Sequence, residues 1–463
     1  MFSNLLFSIL SVIYLILPIK SYSEGMINPP ESLNPLKYQG SESEKAIASL
    51  LFRNLVRYGK DDEIEPDLSK SWKIDENGKV YTFTLQEGIY WSSGKEFNAD
   101  DVLYTVANNA QLSQTSVDKL GNYEIRFTLP NPYTPFLDLL TNVYIVPNQV
   151  GKEMGGKGLV TLGNFRIIQM KNKNNRLSEI TLFTTQPDYD YKKITFKFYG
   201  NEKDLITAAK LGEVKAFSYQ LSFDYPSFEK ITAYPSSRYY GVFFNLRNEH
   251  LKDKDFRKSL LSLIDLSEIS KGRGELAEGA ISKNWATKYL LKVENLEIER
   301  QGYIFTVSLP EGAEHERTFE LLKKSWEPLG ITLNKEVLSW EQIEDKVISS
   351  HNFDIMLLGQ QVSRDPDRYS LWHSSQAEYP GLNFTSFSAM RADKALEQGR
   401  ITLDKAERKR HYNIFQTVFN EEIPAVILYH PIFKYAVNKK IKNLDFSELF
   451  SPEERFSQVG DWR

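Results

Sequence analysis

At 463 residues the chain is too long for one ordinary domain, and two or three are expected. A formal net charge of −4 with no basic cluster excludes an electrostatic nucleic-acid binder. With 41% apolar and 25% charged residues the composition is that of a soluble protein with sizeable cores, and 25 Tyr and 28 Phe also suit a cleft that grips an organic ligand.

Leu5 to Leu17 is apolar apart from Ser8, Ser11 and Tyr14, too short for a comfortable membrane span, and Pro18 breaks it. Ser21-Tyr22-Ser23 supplies a small-x-small site before Glu24, so residues 1–23 are expected to be an export signal cleaved near Ser23. The segment before Leu5 carries no Lys or Arg, which leaves a retained anchor as the alternative. With no cysteine there is no lipid-anchored lipoprotein, and a freely diffusing periplasmic protein is expected.

Glu31 to Leu36 is a turn-rich entry, and Glu44 to Arg57 an amphipathic helix with Ile47, Leu50, Leu51 and Leu55 on one face. From Ile64 to Val102 the chain encodes a hairpin around Asn77-Gly78, a short third strand, and a helix opened by Asn98 with Asp100 and Asp101 in its first turn. A second hairpin turns at Gly121-Asn122, Asn131 to Leu137 leads into a helix, and the Gly-rich loop 151–158 reads as a boundary. From Gly163 the chain turns β-rich, with strands at 166–168, 180–183 and 194–198 and a helix at 204–211. Tyr239 to Asn245 and Phe353 to Gly359 are apolar strands. Thr318 to Leu329 is a helix closed by Gly330, and Asp404 to Phe419 a helix with Tyr412, Phe415 and Phe419 on one face. Pro424 to Tyr429 is the final apolar strand.

The wording of these segments resembles the family 5 extracellular solute-binding proteins. Pro66-x-Leu68-Ser69-x-Ser71-Trp72, Lys79-x-Tyr81-Thr82-Phe83 and Phe97-x-Ala99-Asp100-Asp101-Val102 follow the family's P-x-L-A-x-S-W, D-G-K-x-Y-T-F and F-x-A-D-D-V. Phe256 to Ile264, Trp326 to Leu333 and Phe353 to Gly359 extend the likeness through the chain in the same order. The resemblance implies an α/β, two-lobed periplasmic binding protein-like fold with discontinuous lobes and an extra small α+β domain. Mapped here, the first lobe is 24–43 with 160–240 and 426–463, the extra domain 44–159, and the second lobe 241–425. It also implies the substrate-binding component of an ABC importer, a monomer that closes over an oligopeptide and docks on permease subunits. A non-peptide solute such as a sugar, or a sensor or chaperone role for the same cleft, is the alternative.

Enzyme chemistry finds no support in the residues, and no cofactor or metal is expected. The six histidines are scattered without metal-ligand spacing, and no G-x-S-x-G elbow occurs. Gly151-x4-Gly156-Lys157 imitates a phosphate loop, but Gly158 stands where Ser or Thr is needed. Asn383-Phe384-Thr385 is a glycosylation sequon by pattern alone.

Candidate ligand contacts are Gln39, Tyr239, Trp340, Gln360, Gln361, Ser363 and Asp365. Asp365-Pro366-Asp367 is either a turn or a ligand contact, and Trp340 either packs in the core or stacks on the ligand. By resemblance, the dipeptide-binding branch holds the peptide's amino end with an Asp just upstream of D-P-D and its carboxylate with an Arg before a Pro. Here those neighbourhoods read Val362-Ser363 and Leu309-Pro310, so at face value both charged anchors are missing, the alternative being that Asp365 or Arg364 substitutes. Desolvating a charged terminus without a partner is costly, which makes a dipeptide zwitterion a poor ligand.

Overall fold

The computed structural model describes residues 19–38, 40–59, 61–148, 159–281, 285, 302–447 and 449–463. The apolar run of the export signal, the 151–158 loop and Gln39 lie outside the described residues.

Strand β1 (Ser21–Ile27) lies inside a seven-stranded sheet, flanked on both sides by parallel strands. A cut at Ser23 would fall within it. Ser21 and Tyr22 pair in register with Lys193 and Ile194, and Tyr22 is fully buried. The expected boundary near Ser23 is therefore corrected: the folded chain includes Ser21 to Ser23.

Helix α1 (Glu42–Leu51) starts at Ser41, which forms a capping box with Glu44. Its Ala46, Ile47, Leu50 and Leu51 pack with Tyr22, Ile194 and Phe196 in the core of the first lobe, so this helix belongs to that lobe and not to the extra domain expected from residue 44. The apolar period runs on through Leu55 because Leu55 and Val56 are buried in a different core, reached after the helix has ended.

That second core is the extra domain. It holds β2 (Val56–Tyr58), β3 (Ile64–Pro66), β4 (Ser69–Asp75), β5 (Val80–Leu85), α2 (Ala99–Ala107), β6 (Ser116–Gly121), β7 (Glu124–Thr128) and α3 (Phe136–Thr141). Four of its strands form a sheet in the order β4-β5-β7-β6. Asp75 pairs with Val80, so the hairpin is closed by a four-residue connection in which Glu76, Asn77 and Gly78 all have positive φ. Asn98 caps α2 with Asp101 in a capping box, and Asp101 also takes the indole N–H of buried Trp91 at 2.9 Å. The chain returns to the first lobe at Gly163, whose missing side chain lets it lie on α1: a Cβ there would stand 2.3 Å from the Leu50 carbonyl oxygen.

β8 (Arg166–Lys173), β9 (Arg176–Phe183), β10 (Lys193–Tyr199), α4 (Glu202–Lys210), β11 (Ala216–Ser218) and β12 (Phe228–Ala233) complete the first sheet up to its last strand. The second lobe follows with β13 (Arg238–Phe244), α5 (Lys254–Ser262), β14 (Gly274–Leu276), β15 (Ile304–Pro310), α6 (Ala313–Trp326), β16 (Thr332–Leu338), β17 (Ile355–Gln361), α7 (Met390–Ile401), α8 (Lys405–Glu422) and β18 (Ala425–Pro431). Its strands are ordered β14-β18-β13-β17-β15-β16, with an apolar core on each face. β19 (Phe433–Asn438) then enters the first sheet, whose order is β12-β19-β11-β1-β10-β9-β8. The second lobe thus starts at Arg238 rather than Gly241, and the chain leaves it after Pro431 rather than at Val426, because β18 pairs with β13.

The C-terminal segment is fastened to β1 by a fully buried ion pair. Arg455 donates to Glu24 from Nε at 3.0 Å and from Nη2 at 2.6 Å, while the hydroxyls of Tyr22 and Tyr435 reach the other Glu24 oxygen. Removing Arg455 would strand the buried Glu24 charge, whereas Arg455 has a second carboxylate, Glu42, at 3.0 Å.

Candidate interlobe cleft

The chain passes between the two sheets twice, from Ala233 to Arg238 and from Pro431 to Phe433. Ala233 pairs with Phe433 on one side and β13 pairs with β18 on the other, so the two crossings run side by side as a double-stranded hinge. Ser237 ties this hinge together: its carbonyl accepts from Val362 N–H at 2.8 Å and its N–H donates to Phe450 at 2.9 Å.

The hinge fixes which sheet edges face each other. In the first sheet, β12 ends at the hinge; β11 runs with it, as do β1 and β10, so the C-terminal ends of all four lie on that edge. In the second sheet β18 ends at the hinge, and β15, β16 and β17 end on the same edge. Crevices outside the carboxyl ends of strands are where α/β folds bind ligands. Large apolar side chains stand exposed at or just beyond these ends. Ile27 is 39% exposed, Leu221 45% and Tyr234 44% on the first lobe, and Trp340 68% on the second. Single exposed apolar residues are ordinary, but their position at the strand ends of both lobes makes these four candidates for the walls of a cleft.

Trp340 follows β16, behind a Ser339–Gln342 capping box, and its exposure corrects the core-packing reading. Gln361 ends β17 with its side chain exposed. Tyr239 and Gln360 are cross-strand partners bonded to each other, the hydroxyl donating to Oε1 at 2.5 Å, and burial pushes the Tyr239 phenol up to about 12. Ser363 turns its hydroxyl to the Asp365 carbonyl at 3.0 Å. Gln39, the remaining candidate, lies outside the described residues.

Asp365 is held by its own lobe. Both of its oxygens are paired with the Arg408 guanidinium, at 2.6 and 2.8 Å, and one also accepts the Asp367 N–H at 2.8 Å. The ion pair is almost completely buried. The turn and the ion pair account for this carboxylate, so its expected role as a ligand contact is replaced by a structural one. Arg368, also buried, donates to the carbonyls of Ala280, Ser363, Asp365 and Asp367 and so pins the loop's shape.

Arg364 points the other way, out of the second lobe. Its Nη2 binds both oxygens of Glu454 at 2.7 Å, Nη1 binds Asp62, and the guanidinium lies 4.5 Å from the Tyr58 ring and 4.6 Å from that of Phe450. Nearby, Asp138 accepts from the Tyr58 hydroxyl at 2.5 Å and from Asp365 N–H at 3.3 Å. Burial, reinforced by the Asp365 charge, pushes the Asp138 carboxyl up to about 6, and burial likewise raises Glu454. All three units of the fold meet at this junction.

Arg408, Arg368 and Asp138 escaped sequence reasoning. One signal was available: Arg408 shares the helical face of Tyr412, Phe415 and Phe419, where a guanidinium needs an acidic partner. The sequon at Asn383 is closed off, since its buried amide donates to His373 and Phe387 carbonyls. Among the described residues no three acidic or histidine side chains gather as a metal site, and no helix is long and apolar enough to cross a membrane.

Residues 63–380 match the family described as bacterial extracellular solute-binding proteins, family 5 Middle. The chain belongs to that family. It is a family of solute-binding proteins, not of enzymes. The chain is 24% identical over 469 residues to the oligopeptide-binding protein AppA of Bacillus subtilis, covering 88% of this chain and 85% of the relative. It is 23% identical over 491 residues to the dipeptide-binding protein of Escherichia coli, covering 91% and 90%. The structure of Bacillus subtilis AppA in complex with a nonapeptide superposes with a TM-score of 0.70 at 20% identity, over 96% of this chain and 98% of that one. The two-lobed α/β fold is that of family 5.

Proposed function

We propose that this family 5 protein captures oligopeptides between its two lobes and hands them to an ABC permease. The carrying observation is the pair of facing strand edges, walled by Ile27, Leu221, Tyr234 and Trp340, with the polar Gln361 among them. Relatives named for oligopeptide and dipeptide binding support a peptide as the ligand. Trp340 stacks on it and Gln361 offers an amide to its backbone. The 360–367 loop shapes the cleft and supplies no charged clamp, for Ser363 bonds within it and the Asp365 carboxylate is taken up by Arg408. Such a cleft favours peptides longer than two residues, held by backbone hydrogen bonds and apolar pockets rather than by their termini. Binding across the hinge favours the closed state through contacts made only there. We place the protein, as a monomer, in the periplasm after removal of its export signal.

The test is mass spectrometry of the solute released when protein purified from the producing cell is denatured, followed by calorimetry. Hexapeptides should bind whether or not their ends are acetylated and amidated. Tight binding of a free dipeptide, with hexapeptides silent, would sink the reading.

A further inference from the structure

The extra domain is covalently continuous with the first lobe alone. It leaves after α1, and the N–H groups of Leu162, Gly163 and Phe165 bond back to the carbonyls of Leu51 and Leu50 on its return. Yet it carries a second set of contacts, made to the other lobe. Thr134, in the turn before α3, donates its N–H to the Arg400 carbonyl at 2.8 Å and its hydroxyl to the Thr402 carbonyl at 3.2 Å. The Arg400 guanidinium lies between the rings of Tyr133, at 4.9 Å, and Tyr369, at 4.3 Å, and pairs with Asp367 at 3.1 Å. Beside them Lys405 pairs with Glu63, and a Cβ placed on Gly78 would lie 3.4 Å from the Leu403 side chain.

We propose that the Tyr133–Thr134 face of the extra domain is a clasp that grips the corner between α7 and α8 and holds the second lobe closed. This rests on the reading of the chain as a protein whose lobes close over a solute. The second lobe is joined covalently only through the two crossings of the hinge, so rotation there moves it as a body, and the Arg364 junction with Glu454 and Asp62 is the other set of contacts that such a rotation would break. The grip is built to be remade: two hydrogen bonds to carbonyls, one stacked guanidinium, and a Lys405–Glu63 pair with both side chains more than 60% exposed. Polar interfaces of this kind between domains of one chain behave as transient contacts. The contacts belong to one position of the lobe and therefore bias the equilibrium toward it before any solute arrives. The domain thereby sets affinity without touching the solute.

The chain has no cysteine, so spin labels at Lys210→Cys on the first lobe and Lys324→Cys on the second report the interlobe distance without interference. The protein is stripped of solute by unfolding and refolding, and its distance distribution is measured by pulsed electron resonance. The expected result is a populated short-distance state that Tyr133→Ala and Lys405→Ala each deplete, with the open population rising roughly threefold or more for the first. Circular dichroism melts confirm that each variant is folded. Should Tyr133→Ala unfold the extra domain, Lys405→Ala, made from the other lobe, carries the test. An unchanged distribution in the variants overturns the clasp, as does a parent protein found only at the long distance. Peptide binding is measured separately, so its failure alone leaves this result standing.

Discussion

Substitution of Asp365 separates a ligand contact from a structural tie. In Asp365→Asn the Arg408 guanidinium stays buried with its bidentate partner gone; it keeps the Gly399 carbonyl at 2.7 Å and the Tyr412 hydroxyl at 3.3 Å. Removing one partner of a buried pair costs about 3–5 kcal/mol. For a unit the size of the second lobe, each kcal/mol moves the melting temperature by about 2–4 °C, so its calorimetric transition should fall by roughly 6–20 °C. Solute affinity, measured below that transition, should change less than about threefold. A clamped ligand charge would behave differently, since losing its partner costs about 2–5 kcal/mol and weakens binding at least about thirtyfold. Combining Asp365→Asn with Arg408→Met should restore much of the lost stability, because the stranded charge is then absent. A variant of unchanged stability and abolished binding would refute the assignment and return Asp365 to the cleft.

Trp340→Ala should weaken hexapeptide binding about tenfold by calorimetry with an unchanged melting temperature, since the ring is exposed in the free protein. Arg455→Met should lower the melting temperature of the first lobe, the stranded Glu24 carboxylate costing about 3–5 kcal/mol, and Glu24→Gln on top of it should recover part of the loss. Asp138 bears on pH. Its carboxyl stands at about 6 in the fold against an ordinary 3.8, so its stabilising effect is complete below about pH 4 and is lost as pH rises through about 6. Asp138→Asn should therefore match or exceed the parent's melting temperature at pH 7.5 and fall behind it at pH 4.5. Parallel pH profiles for the two proteins would contradict this.

Much of the architecture was legible in local sequence. The Asn98 cap, the Gly330 terminator at φ 74 and the apolar strands around Val242 and Leu357 stand where their patterns place them. What misled was long-range. Leu55 continues the period of α1 and yet packs elsewhere, because periodicity does not state which core a residue enters. The apolar run at Val426 looks the same whether it pairs with β13 or returns to the first sheet. At the site, Trp340 shows how an aromatic at the end of a strand reads as core until the chain beyond it is placed. Asp365 and Arg408 lie 43 residues apart, and only the fold brings them together.

The first sheet has a consequence for how the protein is made. Its central strand β1 is among the earliest of the described segments to be synthesised, while β19 and Arg455 are among the last. Glu24 and Arg455 stand 431 residues apart, and neither has its charged partner until the chain is nearly complete. The extra domain and the second lobe are contiguous insertions able to acquire their cores early, but the lobe that joins them has to wait. Contacts of such sequence separation form slowly, after their loops have closed. With Arg455 missing until the tail is made, the first lobe is the last of the three units to lock, whichever compartment the chain folds in.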